Sequence, residues 1–424
     1  MPLPRIPRPG PLARNTLTLT GGMGARVLML AVLFLLVSRT LGVEQYGQFT
    51  AALALVSFFY PFAGLGASTL LLRDTACSPL DARRFWGRSL LTTLITSAPL
   101  ATAALFLGEL VLPEATSFRL MLYLVIAELV LTPVTQLGSA LYQALEKSAV
   151  TAFFLAGAAL FRLGAFLLLM LLLAAPSAEV WGLYYLSATL FFTLLVVAFV
   201  WRDLGAPLWD MPDFRAVFRD GLAYSVMQAS GKISNDVDKV MLSRMDSLAT
   251  TGLYSAGYRI VEMLFLPLSA LLWNALGRFF RTGEAGAVSA LRYGLRLLPL
   301  PLFFIVICLV GVYLGARYLP LLLGEGFTGI DAVVFLLAPL MAVLFIRELL
   351  RLVIVGTRSS IPAAVIGLSG ALVNIAANLA LIPAYSWKGA IMATFISEFA
   401  MILLLSIVLT SLIVSEKSNA AADN

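Results

Sequence analysis

The sequence has no histidine and only two cysteines, Cys77 and Cys308. Without histidine, imidazole catalysis, histidine-ligated metals and histidine proton relays are excluded. Two cysteines this far apart provide neither a cysteine-rich metal site nor a disulfide framework. Charge is scarce as well, at 12% of the 424 residues, against roughly 25% in a typical soluble domain. So little polar surface cannot cover a globule of this size, and a soluble protein is excluded.

Apolar side chains dominate instead. They account for 60% of the chain, and the mean hydropathy is +0.95. A helix that crosses ~30 Å of hydrocarbon needs about 20 such residues, and the sequence contains twelve runs of this kind. The predicted spans cover residues 17–38, 48–72, 89–111, 119–141, 150–173, 180–201, 221–243, 251–275, 293–318, 331–355, 361–383 and 389–413. The first is longer than the core of a signal peptide and is followed at once by another span, so we expect it to remain in the protein.

The connections between these spans are short, and the longest, 202–220, separates six spans from six. We therefore predict an all-α polytopic membrane protein of twelve transmembrane helices in two six-helix lobes. Its predicted parts are a proline- and arginine-rich arm (1–16), an N-terminal lobe (17–201), a linker (202–220), a C-terminal lobe (221–413) and a tail (414–424).

Basic residues are distributed unevenly over the connections. If the N-terminus is cytoplasmic, the connections on that side carry nineteen lysines and arginines, and those on the opposite side carry five. Because cytoplasmic loops retain lysine and arginine, this bias predicts that both termini are cytoplasmic. It also accounts for the net charge of +6, so nucleic-acid binding is not needed to explain that charge.

An internal repeat supports the division into two lobes. The chain reads Ser-Arg at 38–39 and Gly-Gln-Phe-Thr-Ala at 47–51, and 205 positions later it reads Ser-Arg at 243–244 and Gly-Leu-Tyr-Ser-Ala at 252–256. Six helices separate the two copies, which gives both the same orientation in the membrane. Parallel repeats of this kind are an architecture for alternating access, with the substrate bound between the halves.

We single out ten charged residues that lie well inside the predicted spans. Each would cost roughly 2.5–3.5 kcal/mol at the centre of a lipid-facing helix, so they must line a wet cavity, pair with one another, or do both. They are Arg26, Glu128, Arg162, Lys232, Asp236, Asp238, Lys239, Arg259, Glu262 and Glu398. The five basic residues are candidates for binding an anionic substrate, and the five acidic residues are candidates for moderating that binding or for coupling it to an ion.

Span seven is the richest in charge, with Lys232, Asp236, Asp238 and Lys239. Positions 232, 236 and 239 fall on one face of a helix. They could form a self-neutralised ladder that serves helix packing, or a hydrophilic cavity wall whose ammonium groups meet an anion. Two lysines and two aspartates in so short a segment exceed what packing requires, which favours the cavity.

The other charges are more evenly balanced between two interpretations. Glu128 and Arg162, near the middle of spans four and five, either pair between adjacent helices or leave Arg162 facing the cavity. Arg26 either extends to the membrane edge or contacts the substrate. Arg259 and Glu262 are three residues apart on span eight, a spacing at which they can neutralise each other.

Weaker candidates lie in the last two spans and at two prolines. Glu398 is alone on span twelve, and Asn374 and Asn378 share span eleven. Pro61 and Pro267 lie 206 positions apart, within one residue of the repeat offset, and are predicted hinge positions. The sequence offers no nucleotide-binding loop, no metal-spaced acidic motif and no extramembrane domain, so we do not expect an enzyme.

Several short motifs are characteristic in their order and spacing. Residues 38–49 read Ser-Arg-Thr-Leu-Gly-Val-Glu-Gln-Tyr-Gly-Gln-Phe, which resembles an R-x-L-G-x-E-x-Y-G signature. Gly-Leu-Gly at 64–66, Asp-Lys at 238–239 and Gly-Leu-Tyr at 252–254 follow. Together they are similar to the first, second, seventh and eighth helices of bacterial polysaccharide and O-antigen flippases, in the multidrug/oligosaccharidyl-lipid/polysaccharide (MOP) exporter superfamily.

This resemblance implies a twelve-helix, two-lobe protein of the bacterial cytoplasmic membrane. It would flip polyprenyl-diphosphate-linked oligosaccharides by alternating access, for the synthesis of O-antigen, capsule or exopolysaccharide. The five intramembrane cations would then hold the diphosphate. The implied partners are the lipid-linked substrate, membrane lipids, a polysaccharide polymerase and chain-length regulators, and the protein would act as a monomer. No cofactor is expected, and whether Na⁺ or H⁺ drives turnover stays open.

Two other functions compete with the flippase. A multidrug cation exporter of the same superfamily would need acidic groups to dominate its cavity, whereas here five basic and five acidic intramembrane residues balance. A membrane-embedded glycosyltransferase or polymerase would be expected to carry a sizeable external loop, and the predicted external loops are short. The sequence does not specify the sugar unit.

Overall fold

The computed structural model describes residues 11–211, 214–357 and 360–422, and every regular element in them is helical. The sixteen α-helices are α1 (Pro11–Phe59), α2 (Ala67–Cys77), α3 (Ala82–Val111), α4 (Phe118–Val125), α5 (Thr132–Ala144), α6 (Ser148–Leu172), α7 (Ala178–Leu204), α8 (Phe214–Met245), α9 (Leu248–Gly283), α10 (Ala287–Leu297), α11 (Pro299–Gly315), α12 (Leu319–Leu323), α13 (Ile330–Leu337), α14 (Leu340–Gly356), α15 (Ser360–Tyr385) and α16 (Trp387–Ala422). Short 3-10 turns lie at Tyr60–Phe62, Pro79–Asp81, Ala316–Tyr318 and Glu325–Phe327, and a π-helical segment at Ile126–Leu131 joins α4 to α5.

Ten helical stretches of the described residues are long and apolar enough to cross a membrane. The all-α membrane fold is therefore confirmed, whereas the count of twelve spans is not. One difference arises because the stretch Thr18–Phe62 is counted once, although it contains two helices that meet at a kink at Gly42, where φ is 74°. The other arises at α8, which contains predicted span seven and whose charges make it too polar to qualify.

The prediction that residues 48–72 form one helix is wrong. The chain leaves helical geometry after Phe59 and turns through Gly64, Leu65 and Gly66, whose φ angles are 87°, 44° and 73°. Glycine adopts this left-handed region readily, and the backbone N–H of Gly64 donates to Thr96 Oγ1 of α3 at 2.8 Å. Pro61 therefore lies in a turn between two helices.

Pro267, the predicted counterpart of Pro61, has a different setting. It lies inside the continuous helix α9, where a proline removes one backbone hydrogen bond and bends the helix without ending it. The two prolines lie within one residue of equivalent positions in the repeat but differ in local structure. Their role as hinges stays a prediction.

The chain divides into two compact units. The first contains α1 up to Thr40, Val56–Leu110 and Glu114–Ala229. Its core packs α3, α5, α6 and α7 around aromatic side chains, with ring centroids 5.5 Å apart for Tyr142 and Phe154 and 6.5 Å apart for Phe154 and Phe192. These apolar contacts hold the helices that carry Glu128 and Arg162.

The second unit contains Leu41–Leu55, Val111–Pro113 and the chain from Ser230 onward. Its core joins α9, α10, α14 and α16 through buried residues that include Phe279, Phe345 and Met401. Residues 41–55 are the second half of α1, so this unit brings one copy of the sequence repeat against the other.

Two glycines mark the place where these copies cross. A Cβ on Gly47 would lie 1.8 Å from the backbone oxygen of Leu248, and a Cβ on Gly252 would lie 1.9 Å from that of Val43. Both pairs of positions differ by 205, the offset of the repeat. The contact is therefore reciprocal, as expected for two copies related by a two-fold axis, and only glycine fits on either side.

Candidate functional site

The first unit holds an ion pair in the interior of its helices. Glu128 lies on the π-helical segment 126–131, a type of irregularity that occurs frequently at functional sites. Its Oε1 accepts from Nη2 of Arg162 on α6 at 2.7 Å, and the side chains are only 16% and 15% exposed. The structure therefore agrees with the interpretation in which Glu128 and Arg162 pair between helices.

Neutral groups complete the environment of this pair. Arg162 also donates to Thr132 Oγ1 and, through Nε, to Thr189 Oγ1, each at 3.2 Å. Its guanidinium lies 4.0 Å from the ring centroid of Tyr185, and the Tyr185 hydroxyl donates to the same oxygen of Glu128. Arg162 is thus held in one orientation by a carboxylate, two hydroxyls and an aromatic face.

The second unit holds a denser cluster where α8 packs on α9. Asp238 is fully buried, where it accepts from the Tyr254 hydroxyl and, at 2.8 Å, from the backbone N–H of Lys239. The Lys239 ammonium pairs with Asp236 and lies 4.6 Å from the ring centroid of Tyr258. The two carboxylates and the ammonium are therefore compensated locally, as buried charges must be.

The remaining basic candidates lie in more open settings. Lys232 is exposed and forms no ion pair with another residue in the part of the chain that the structure describes, so the self-neutralised ladder considered as the alternative for span seven does not extend to it. Arg259 and Glu262 pair at 2.7 Å and are 41% and 46% exposed, as their spacing suggested. Arg26 is exposed on α1. Its choice between the membrane edge and the substrate stays a prediction.

Glu398, the only charged residue of predicted span twelve, has an ion-pair partner on another helix. Arg347 of α14 donates to its Oε1 at 2.9 Å, and the Glu398 side chain is 5% exposed. Arg347 lies within α14, inside the predicted span 331–355, and its guanidinium contacts α16. The run Arg-Glu-x-x-Arg at 347–351 was the signal for this pair, because three charges in an apolar span need partners.

Asparagine and hydroxyl groups form a chain of hydrogen bonds in the same unit. Asn378 Nδ2 donates to Asn374 Oδ1 at 2.9 Å, and Asn374 Nδ2 donates to Ser397 Oγ at 3.2 Å. Both asparagines are fully buried. Among the described residues no group of three or more histidine, cysteine, aspartate or glutamate side chains could hold a metal ion. The visible chemistry is that of ion pairs and hydrogen bonds.

Residues 12–276 match the model of a protein family described as polysaccharide biosynthesis protein, which is more than half of the chain. The chain belongs to this family. No curated protein matches it in sequence. The resemblance noted in the sequence motifs is therefore confirmed at the level of the family.

Solved structures confirm the fold of this polysaccharide biosynthesis protein. A multidrug resistance MATE transporter of the MOP superfamily, in an inward-facing conformation, superposes with a TM-score of 0.75 at 13% identity, over 91% of this chain and 95% of that one. The lipid II flippase MurJ gives 0.72 at 13% identity, over 93% and 87%. A MOP transporter from Pyrococcus furiosus Vc1, described as having a binding pocket of reversed polarity, gives 0.64 at 12%, over 95% and 96%. Identities this low establish the shared fold alone.

Sequence reasoning missed the tyrosines of this family member's two clusters. Tyr185 and Tyr254 each donate to a buried carboxylate, and Tyr258 covers an ammonium. A tyrosine hydroxyl can also lie at the membrane interface, so the sequence alone does not indicate an interior position. Only the packing of α7 on the π-helical segment and of α9 on α8 shows that these hydroxyls lie between helices. The Gly-Leu-Tyr motif at 252–254 was the one available signal.

Proposed function

We propose that this protein is a flippase that carries polyprenyl-diphosphate-linked oligosaccharides across the bacterial cytoplasmic membrane by alternating access. The product would serve O-antigen, capsule or exopolysaccharide synthesis. The polysaccharide biosynthesis family supports this proposal, as does a fold shared with a lipid II flippase. Both termini would be cytoplasmic, and a polysaccharide polymerase and chain-length regulators would act on the exported unit.

One observation carries the proposal: each unit keeps a cationic side chain in the interior of its helices. Arg162 of the first unit is 15% exposed, and Lys239 of the second is 12% exposed. A cation is expensive in hydrocarbon and is retained where function requires it. A diphosphate loses its hydration when it enters such a region, and it needs charge-assisted hydrogen bonds in return.

Both cations are engaged by carboxylates, and this fits transport better than permanent binding. Glu128 occupies Nη2 of Arg162, and Asp236 occupies the Lys239 ammonium. A diphosphate that reached either cation would replace one anion by another, and the carboxylate would return when the substrate left. Arg162 and Lys239 would thus bind the diphosphate, while Glu128 and Asp236 would prevent the bound state from becoming irreversible.

The test uses purified protein in vesicles that carry a polyprenyl-diphosphate oligosaccharide, with transfer measured as protection of the sugar from an added glycosidase. The double variants Glu128→Gln/Arg162→Gln and Asp236→Asn/Lys239→Gln remove each cation together with the carboxylate of its ion pair. Each lost charge-assisted contact is worth roughly 1.5–3 kcal/mol, so binding should weaken about tenfold to a hundredfold. Lys239→Arg keeps the charge and should retain more transfer.

Lys147→Ala is the matched control, because Lys147 also pairs with a carboxylate, Asp203 at 2.6 Å, but lies just before the start of α6 and is 47% exposed. Its transfer rate should equal that of the wild type. Wild-type transfer by both double variants would mean that these cations are only structural. Export of a cationic dye without transfer of the lipid-linked sugar would indicate a multidrug exporter instead.

A further inference from the structure

The corner between α9 and α10 in the second unit carries four exposed arginines. They lie at the end of α9 and along α10: Arg278, Arg281, Arg292 and Arg296. In the described part of the chain, none of the four guanidinium groups forms an ion pair or a side-chain hydrogen bond. The stretch Pro299–Leu323, which begins with α11, is long and apolar enough to cross a membrane, so the corner lies at a membrane boundary.

Helix α10 is held with one face inward. Ala287, Ala290 and Gly294 are buried, and a Cβ on Gly294 would lie 3.3 Å from the Leu349 side chain of α14. The backbone N–H of Ala287 donates to Glu416 Oε1 of α16 at 2.7 Å, which caps the start of the helix. The carboxylate of Glu416 is thus occupied at the helix N-terminus.

The outer face of α10 mixes charge with apolar surface. Positions 288, 292, 295 and 296 share one side of the helix, where Val288 and Leu295 are 37% and 53% exposed beside Arg292 and Arg296. A short helix with guanidinium groups and aliphatic side chains on its free face is suited to the boundary between lipid headgroups and acyl chains.

The corresponding arginines of the first unit are neutralised. Arg73 pairs with Asp74 at 2.9 Å. Arg84 and Arg88 both pair with Asp210, at 2.9 Å and 2.7 Å. Retention of basic residues on one side of the membrane explains why both units carry arginines at the ends of their helices. It does not explain why the arginines of the α9–α10 corner have no carboxylate partners.

We infer that the α9–α10 corner is a binding site for the phosphate headgroup of anionic phospholipids, which supply the missing counter-charges. The phosphate would accept from the guanidinium groups, while the acyl chains would contact Val288 and Leu295. A bound headgroup would join α9 to α10 and stabilise the second unit. This inference does not depend on the substrate of the protein.

The experiment measures the melting temperature of the purified protein in neutral detergent as phosphatidylglycerol or phosphatidylcholine is added. Phosphatidylglycerol should raise the Tm of the wild type, and salt should weaken the effect. Each basic residue near an anionic headgroup contributes about fivefold in affinity, so R278Q/R281Q/R292Q/R296Q should need at least a hundredfold more phosphatidylglycerol for the same shift. The matched variant R73Q/R83Q/R84Q/R88Q removes the same number of charges from the first unit, where Arg83 lies next to Arg84 and donates to the backbone oxygen of Ala206. It should keep most of the wild-type shift.

Three results would overturn the inference. One is an equal phosphatidylglycerol shift in the wild type and in the α9–α10 variant. Another is an equal loss in both quadruple variants, which would mean that net charge alone is sensed. The third is a full shift with inorganic phosphate alone, which would make the site one for a free anion and not for a lipid. The four substitutions of the α9–α10 variant are at exposed side chains, so this variant should fold.

Discussion

The two copies of the repeat agree in backbone and differ in charge. Gly47 and Gly252 occupy equivalent positions and make the same contact with each other's helix. In contrast, the charged cluster has no counterpart 205 positions earlier. Asp236, Asp238, Lys239 and Tyr254 correspond to Ala31, Leu33, Phe34 and Phe49. Because the last three of these are buried at 7% exposure, the repeat folds with apolar residues at these places, and the charges of α8 are not a requirement of the architecture.

The same comparison holds at the helix ends. Arg73 and Arg278 are equivalent, but the residue after Arg73 is Asp74, its ion-pair partner, and the residue after Arg278 is Phe279, which is fully buried in the core of the second unit. One copy uses the position for charge compensation and the other uses it for packing. The arginines of the second copy are therefore left for a partner outside the chain.

The largest effect is expected from the feature that the copies share. Gly47→Ala and Gly252→Ala each place a Cβ within 2 Å of a backbone oxygen, which a side-chain movement cannot relieve. Overpacking costs typically 1–3 kcal/mol and more when backbone must move. We expect both variants to lose most of their folded protein, measured as the Tm and the monodisperse fraction in detergent.

Gly24→Ala is the control for this pair, because a Cβ on Gly24 meets nothing within 4 Å. It should leave the Tm unchanged or slightly higher, since alanine favours helix by about 1 kcal/mol over glycine. If only one of the two crossing glycines proved sensitive, the two-fold equivalence of the copies would be wrong.

A smaller effect on stability and a large effect on transfer are expected when the copies are made alike. The variant Asp236→Ala/Asp238→Leu/Lys239→Phe/Tyr254→Phe gives α8 and α9 the residues that α1 has at the equivalent positions. No buried carboxylate or hydroxyl of the cluster is left unpaired, so the protein should insert and melt cooperatively. Transfer of the lipid-linked sugar should be abolished, measured in the vesicle assay. Transfer at the wild-type rate would show that the cluster has no part in transport.

The sequence predicts a membrane protein and an internal repeat, because the first depends on local composition and the second on a constant spacing between similar segments. Twelve apolar runs and an offset of 205 can be counted without knowing any contact. The pairing of charges could not be predicted in the same way. Arg347 and Glu398 are 51 residues apart on different helices, and their contact depends on how α14 packs on α16. The turn at 64–66 was missed because an apolar run conceals a break that the backbone angles of two glycines make possible.

The smallest effect is expected at Asp210, in the connection between α7 and α8. Hydrogen bonds from Arg88 and Arg84 hold the pKa of this carboxyl below its usual value of 3.8. A lowered pKa means that the ionised form contributes stability above pH 3.8 and that this contribution disappears as the pH falls through the lower, folded-state value. The Tm of Asp210→Asn should therefore lie slightly below that of the wild type at neutral pH, and the two should converge below pH 3.8.

The substitution also frees two arginines, so the first unit should gain a phosphatidylglycerol response that resembles that of the second. A Tm difference that persisted in acid, with no gain in lipid response, would mean that Asp210 acts through packing and that the charge contrast between the two copies has another origin.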